Sequence, residues 1–362
     1  MRHMNIQRKS GRNFYRKMVM KTVRLLVVIL AVVFVNSCTT YYYVRTDVSR
    51  NLDVERHVYA SSEDGSSVDF PFGTSGEWKV SKLPETLEVD FYDAKESMTH
   101  EAYRSGGIED VSLVCKDAFN PLLRPVERLG KRFRWFYTYY DYNAEFKGLK
   151  EMLPLPFDGY ITDEQVELFF RGADSPEGWN GVEMYYLLDD INQSFAKWHS
   201  DATYFVMCDI FEPYITKQQI VTLDTLKNSF MEGIEREVMF AMKPDEFEDR
   251  LAAVLPDSGF GQIYEDNSVA IDQAYEKEIK IIECFETAFM YTVDLPGKYV
   301  AGNAVDLMGD SPMWKADAYR LMAGDLKLNA TSRQVNVWAF LVTFAVIVLL
   351  LQLFAKAFAR ES

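Results

Sequence analysis

The sequence predicts an α+β protein: a β-domain formed by N- and C-terminal strands, a helical insertion between them, and one C-terminal transmembrane helix. Three observations carry this. Alternating runs rich in Tyr, Val and Phe lie near both ends of the chain, helical periodicity recurs between about residues 161 and 289, and residues 334–355 carry no charge at all. With 48% hydrophobic residues and 25 Phe, 21 Tyr and 6 Trp, the chain has ample material for a packed core.

The first 38 residues hold eight Arg and Lys and no acid. Residues 25–35, LLVVILAVVFV, follow the segment MKTVR and form an apolar run about 16 Å long as a helix, short of the about 30 Å hydrocarbon core of a bilayer. A basic start, a short apolar run and small polar residues after it read as a secretory signal over residues 1–37, with Met20 a credible true start. Val35, Asn36, Ser37 and Cys38 then resemble the cleavage box of bacterial, Bacteroidota-type envelope prolipoproteins, with Val35 and Asn36 departing from the usual Leu and small residue. That resemblance implies cleavage before Cys38 and acylation of it, palmitate being an expected chain. An uncleaved signal anchor is the other reading.

After Cys38 the expected order is a β-rich part over 38–160, a helical insertion over 161–289, membrane-proximal strands over 290–333, a spanning helix over 334–355 and a short tail over 356–362. YYYVRTDVSRNLDVERHVYA alternates as two strands around a turn at Arg50 to Leu52, and Glu77 to Phe91 is a further strand region. KRFRWFYTYYDYNAEF, residues 131–146, reads as one long strand with aromatics on both faces. Thr162 and Gln165 form a capping box, and helical periodicity continues through 181–199, 217–241, 244–254 and 268–289. Strand signals return in MYTVDLPGKYV, SPMWKAD and AYRLMAGDLKLNATSRQVN, with a turn at Pro296-Gly297. The pattern LPGKYVAGNA, MWKA and AGDLKLNATS before a membrane helix resembles uncharacterised bacterial lipoproteins with a small membrane-proximal β-domain. What this implies is architecture: the strands of both ends pair in one β-domain, and the two anchors emerge from the same side of it.

The terminal run QVNVWAFLVTFAVIVLLLQLFA is about 33 Å of helix, with Trp338 at its entry and Lys356 and Arg360 at its exit. Cations concentrate on the cytoplasmic side of spanning segments, so the bacterial inner membrane with the domain facing the periplasm is the expected address. Arg333 on the outer side weakens that bias.

Outside both ends, 29 basic and 53 acidic residues remain between Thr39 and Gln334, a net charge of −24. Such a surface repels phosphate backbones and anionic lipid headgroups, so a nucleic-acid partner is excluded from the expectation. The bilayer and an envelope protein remain as expected partners. Against the acidic background one basic, aromatic run stands out as a possible interaction surface: Arg124, Arg128, Lys131, Arg132, Arg134 and Trp135. Lipid headgroups or an acidic partner would suit it, while internal neutralisation by carboxylates on neighbouring strands is the reading favoured by composition.

No motif marks chemistry. Cys115, Cys208 and Cys284 are scattered, with no CxxC or zinc knuckle, and read as small core residues; whether two of them form a disulfide stays open. No HExxH, GxSxG, P-loop or GxGxxG appears, so no catalytic residue, metal site or cofactor is expected. His57, His100 and His199 are expected in three separate places, and a histidine joined by two carboxylates in one pocket would reopen the enzyme reading. Three functions follow: a non-enzymatic accessory or interaction component of the envelope, a hydrophobic-ligand or lipid-binding module, and an envelope enzyme with an unrecognised carboxylate site.

Overall fold

In a computed structural model the described residues are 40–361, apart from 63–67, 69, 75, 92–94, 114–121, 123, 171–178, 180, 235–237, 240, 257–258, 305 and 323. The stretch read above as a signal, residues 1–37, and Cys38 and Cys115 lie outside them. The architecture is α+β. Strands β1 (Thr40–Val48), β2 (Val54–Ala60), β3 (Lys79–Asp90), β4 (Lys95–Gly106), β5 (Val126–Phe133) and β6 (Tyr137–Phe146) precede the helices. A short helix over Asp163–Gln165, continued by a π-helical turn over Val166–Phe170, carries the expected Thr162 and Gln165 capping box with both reciprocal hydrogen bonds formed. Helices α1 (Gly181–Phe211), α2 (Lys217–Met231), α3 (Pro244–Val254) and α4 (Ile263–Glu278) follow. The chain then returns through β7 (Thr287–Asp294), β8 (Lys298–Gly302), β9 (Asp306–Met308), β10 (Ser311–Asp317), the short helix α5 (Ala318–Met322) and β11 (Leu326–Val335) to the terminal helix α6 (Val337–Glu361).

Two sheets result, one in the order β3-β4-β2-β1-β7-β10-β9 and one in the order β5-β6-β11-β8. The N- and C-terminal strands do pair: β1 lies parallel to β7, Thr40 opposite Thr287 and Asp47 opposite Asp294. Parallel neighbours require a long connection, and the helical insertion is part of the chain that separates them. Val44, Val58, Tyr291 and Trp314 of the first sheet pack in one core with Tyr140, Tyr142, Phe146 and Leu328 of the second. Helix α1, about 46 Å long, spans two cores. Its first half adds Ile191, Phe195, Trp198 and Ala202 to the sheet core, and its second half sets Tyr204, Met207 and Phe211 among Leu223, Phe230, Phe247, Leu251 and Ile271.

Between the sheets sits a fully buried ion pair. The Arg56 guanidinium of β2 donates to both carboxylate oxygens of Glu127 on β5 at 2.7 Å, and Tyr142 donates its hydroxyl to the same carboxylate at 2.6 Å. Arg56 also donates to Thr46 Oγ1 and to the Val111 carbonyl. Every charge is met, which is the condition under which a buried pair is tolerated. Burial beside this carboxylate raises the Tyr142 phenol well above its usual value.

The fold has a polarity. At one end lie the β1–β2 turn, the β7–β8 turn and the end of β11. Ser332 donates to the Pro296 carbonyl at 2.8 Å, and Arg50 donates to the Gln334 side-chain oxygen at 2.7 and 2.8 Å with the amide turned to accept both. Gly297, at φ +97°, passes so close to the Arg333 carbonyl that a Cβ would stand 2.5 Å from it, so Pro296-Gly297 is a turn that only glycine completes. At the other end lie Thr40, the exit of β6 and the entry of β11, where Gly148 donates to Asp325 and Leu149 to the Leu321 carbonyl. The helical block leaves and returns there.

Four expectations need correction. Residues 131–146 are a hairpin: β5 ends at Phe133 and Tyr137 opens β6, with Arg134 and Tyr137 exchanging backbone hydrogen bonds. No described residue of that turn has a positive φ, so no glycine or asparagine betrays it. Helix α2 ends at Met231 rather than 241, and the chain becomes a strand at Thr287, so no helix reaches 289. The terminal apolar helix begins after Asn336, because Gln334 and Val335 still pair with β6. Finally, the two ends of the domain do not lie on one side: β1 runs about 26 Å from Thr40 to the end from which α6 departs.

Candidate membrane interface

Residues Val337–Lys356 are long and apolar enough to cross a membrane, and almost none of that length is buried within the protein. At its start Asn336 is held by the β5–β6 hairpin. Its backbone N–H donates to the Phe136 carbonyl at 2.9 Å, its side-chain amide donates to the Arg134 carbonyl at 2.8 Å, and its side-chain oxygen accepts from Thr138 at 2.9 Å. The Trp135 indole donates to Thr343 Oγ1 at 2.9 Å. Thr343 lies about 9 Å along the helix axis from Val337, so the hairpin tip reaches down beside the first turns of the helix.

Aromatic rings complete the contact. Phe133 stacks on Trp338 at 6.2 Å, Trp135 meets the same indole edge-on at 5.2 Å, and Phe136 packs on Phe340 at 4.6 Å. Phe133, Trp135, Val335, Val337 and Trp338 are nonetheless exposed, an apolar girdle continuous with the exposed apolar length of α6. Tryptophan at such a position suits the interface, where its ring is apolar and its N–H finds a partner.

Strand register sorts the cations expected from the sequence. Arg134 and Trp135 form the tip. One step above it, Lys131 donates to the Arg50 carbonyl at 2.7 Å and lies over the Tyr140 ring, while Arg132 makes a two-pronged pair with Asp141 at 2.7 and 2.9 Å. That pair holds the Asp141 carboxyl below its usual range. Arg128 and Arg124 lie further from the helix, both exposed. Among the described residues only Arg132 of these five has a carboxylate partner, so neutralisation accounts for one cation and leaves four.

Sequence reasoning missed the cations that other strands add. Arg132 faces Tyr139, Tyr139 faces Arg333, and Arg333 faces Lys298 across β5, β6, β11 and β8. Directly opposed residues share a face, so Arg132, Arg333 and Lys298 form one outward row. Arg333 sits over the Tyr137 ring at 4.6 Å, and Arg50 joins from the β1–β2 turn. Only non-local pairing brings these residues together.

The histidines occupy separate places. His199 is buried on α1, where desolvation pushes its pKa down to about 4, and Asp201 turns away to pair with Tyr160 and Lys227. His100 is buried on β4 beside Thr99. His57 does meet two carboxylates, Glu101 at 2.7 Å and Asp47 at 3.8 Å, a cluster the sequence did not reveal because it depends on the β1–β2–β4 register. It lies on an open sheet face rather than in a pocket, and the neighbouring Tyr59 phenol is held protonated by burial and by Glu101. A shallow cleft of about 350 Å³ beyond Tyr59 is lined by Leu83, Pro84, Glu85, Thr86 and Leu87. Cys208 and Cys284 are free thiols, and burial raises the Cys208 thiol to about 12. Among the described residues no group of three or more His, Cys, Asp or Glu is arranged to hold a metal ion. The chain matches no family model, and no curated protein and no solved structure matches it.

Proposed function

We infer that this chain is a membrane-anchored extracytoplasmic envelope protein, acting as a non-enzymatic accessory or interaction component whose β-sandwich is seated on the bilayer. The observation that carries the reading is the hold of the β5–β6 tip on α6, through Trp135 to Thr343 and Asn336 to the tip carbonyls. A domain merely tethered would need no such contact. The helical block leaves the sandwich at the opposite end and is presented to partners away from the membrane.

In this reading residues 1–37 are a signal peptide, Cys38 carries the lipid as the prolipoprotein resemblance implies, and the domain faces the periplasm with Lys356 and Arg360 in the cytoplasm, as the bias of cations to the cytoplasmic side predicts. Cys38 is two residues from Thr40, a reach of about 7 Å, and Thr40 begins a strand about 26 Å long that runs towards α6. The lipid therefore does not pin the chain beside the helix entry. A lipid on Cys38 entering the same bilayer would lay the strands along its surface, whereas the hold of the hairpin tip on α6 stands them upright, so only one of the two holds in a single bilayer and acyl labelling of Cys38 decides between them. A spanning helix alone is an effectively permanent anchor. The test is radiolabelled palmitate together with trypsin applied to spheroplasts: label in the wild type but not in Cys38→Ala, both proteins membrane-bound, and the domain digested from outside. Label retained by the variant would reject acylation at Cys38, and a domain protected from outside trypsin would reject the periplasmic address.

A second reading, a hydrophobic-ligand module, draws on the cleft beside Tyr59, Leu83, Pro84 and Leu87. Absence of saturable displacement of a fluorescent fatty acid would dismiss it.

A further inference from the structure

We propose that the outward row Arg132, Arg333 and Lys298 binds the phosphates of anionic phospholipids in the leaflet that α6 enters. The inference rests on the reading that α6 spans a bilayer, and deepens it by naming the lipid class that the domain contacts.

The first argument is position. Arg333 stands two strand residues, about 7 Å, before Val335, and Val335 precedes the exposed girdle of Val337, Trp338 and Phe133. The polar layer on each side of a bilayer is about 5–8 Å thick, so a row at that height meets phosphates when the girdle meets acyl chains. The second is charge. Among the described residues Arg333 and Lys298 have no carboxylate partner, and Asp141 offsets only Arg132, within a domain that is otherwise strongly acidic. Such a domain would be repelled by anionic lipid everywhere except here, so the row also sets which face turns towards the surface. The third is rigidity. The three cations stand on three different strands held in one ladder, and Arg333 is further held over Tyr137. A pre-ordered row loses less side-chain entropy on binding than the same charges on a loop. Lys131, Arg50 and Arg134 supply further positive charge around it.

The experiment uses the full chain reconstituted in phosphatidylcholine vesicles that carry a trace of spin-labelled phosphatidylglycerol or spin-labelled phosphatidylcholine, and measures the relative association of the two. The expected result is roughly fivefold preference for phosphatidylglycerol, the factor one net charge near a surface is worth. It should fall to near unity in the triple variant Arg132→Gln, Lys298→Gln, Arg333→Gln and in 0.5 M salt, and should persist with Lys79→Gln and Lys217→Gln, far from the row. Inorganic phosphate at 10 mM should not compete, since the site is a row at a lipid surface. Equal association of both lipids with the wild type, an undiminished preference in the triple variant, or competition by free phosphate would overturn the proposal. Failure of the spanning reading is separable: the wild type would then be extracted from the vesicles by carbonate.

Discussion

Trp135, at the tip of a β-hairpin, donates its indole proton to Thr343 in the terminal helix, 2.9 Å away and 208 residues further along the chain. Because Asn336 at the head of the helix is tied to the same tip, the helix and the sandwich are joined at two levels rather than by a single peptide link. A joint of this kind fixes the β-domain relative to the first turns of α6. With α6 in a bilayer, the same joint would turn the row of Arg132, Arg333 and Lys298 towards the membrane surface.

The Arg56–Glu127 pair couples the two sheets in the same sense. Glu127→Gln leaves a buried guanidinium without its counter-charge and should cost about 3–5 kcal/mol, whereas Arg56→Met combined with Glu127→Leu should recover most of that loss. Urea unfolding of the detergent-solubilised protein measures both. A single variant as stable as the wild type would show that the pair is not buried as described.

His199 should give the fold an acid-sensitive component. Its folded-state pKa is pushed by burial from 6.5 to about 4, so the unfolded chain binds the extra proton first. The stability that this neutral histidine contributes is fully present above about pH 6.5 and is lost as pH falls towards 4, at about 1 kcal/mol per pH unit. The difference in pH dependence between wild type and His199→Leu isolates it from the carboxylates. Identical slopes between pH 6.5 and 4.5 would contradict the burial of His199.

Local features of this fold were legible in the sequence. The Thr162 capping box, the Pro296-Gly297 turn and the two strands around Arg50 each depend on residues within a few positions of one another, and each is present. What stayed hidden depends on pairing across the chain. The tip at Arg134 to Phe136 bends without a glycine, so alternation ran straight through it. The parallel register of β1 on β7 sets at which end of the domain Thr40 lies relative to α6, and no composition encodes that direction. Arg333 weakened the sequence's charge signal, yet it becomes the centre of a row once β6 and β8 flank β11.

With α6 in a bilayer, the hairpin tip should rest in the membrane interface and the strands should rise from it. Spin labels introduced singly at Phe133, Tyr139 and Asn143 in the reconstituted full chain, read by the ratio of oxygen to nickel-chelate accessibility, measure this directly. The prediction is a depth gradient: the label at 133 at the boundary of the hydrocarbon, the label at 139 at headgroup level, and the label at 143 in water. A label at 133 as accessible to the nickel chelate as the one at 143 would contradict the account.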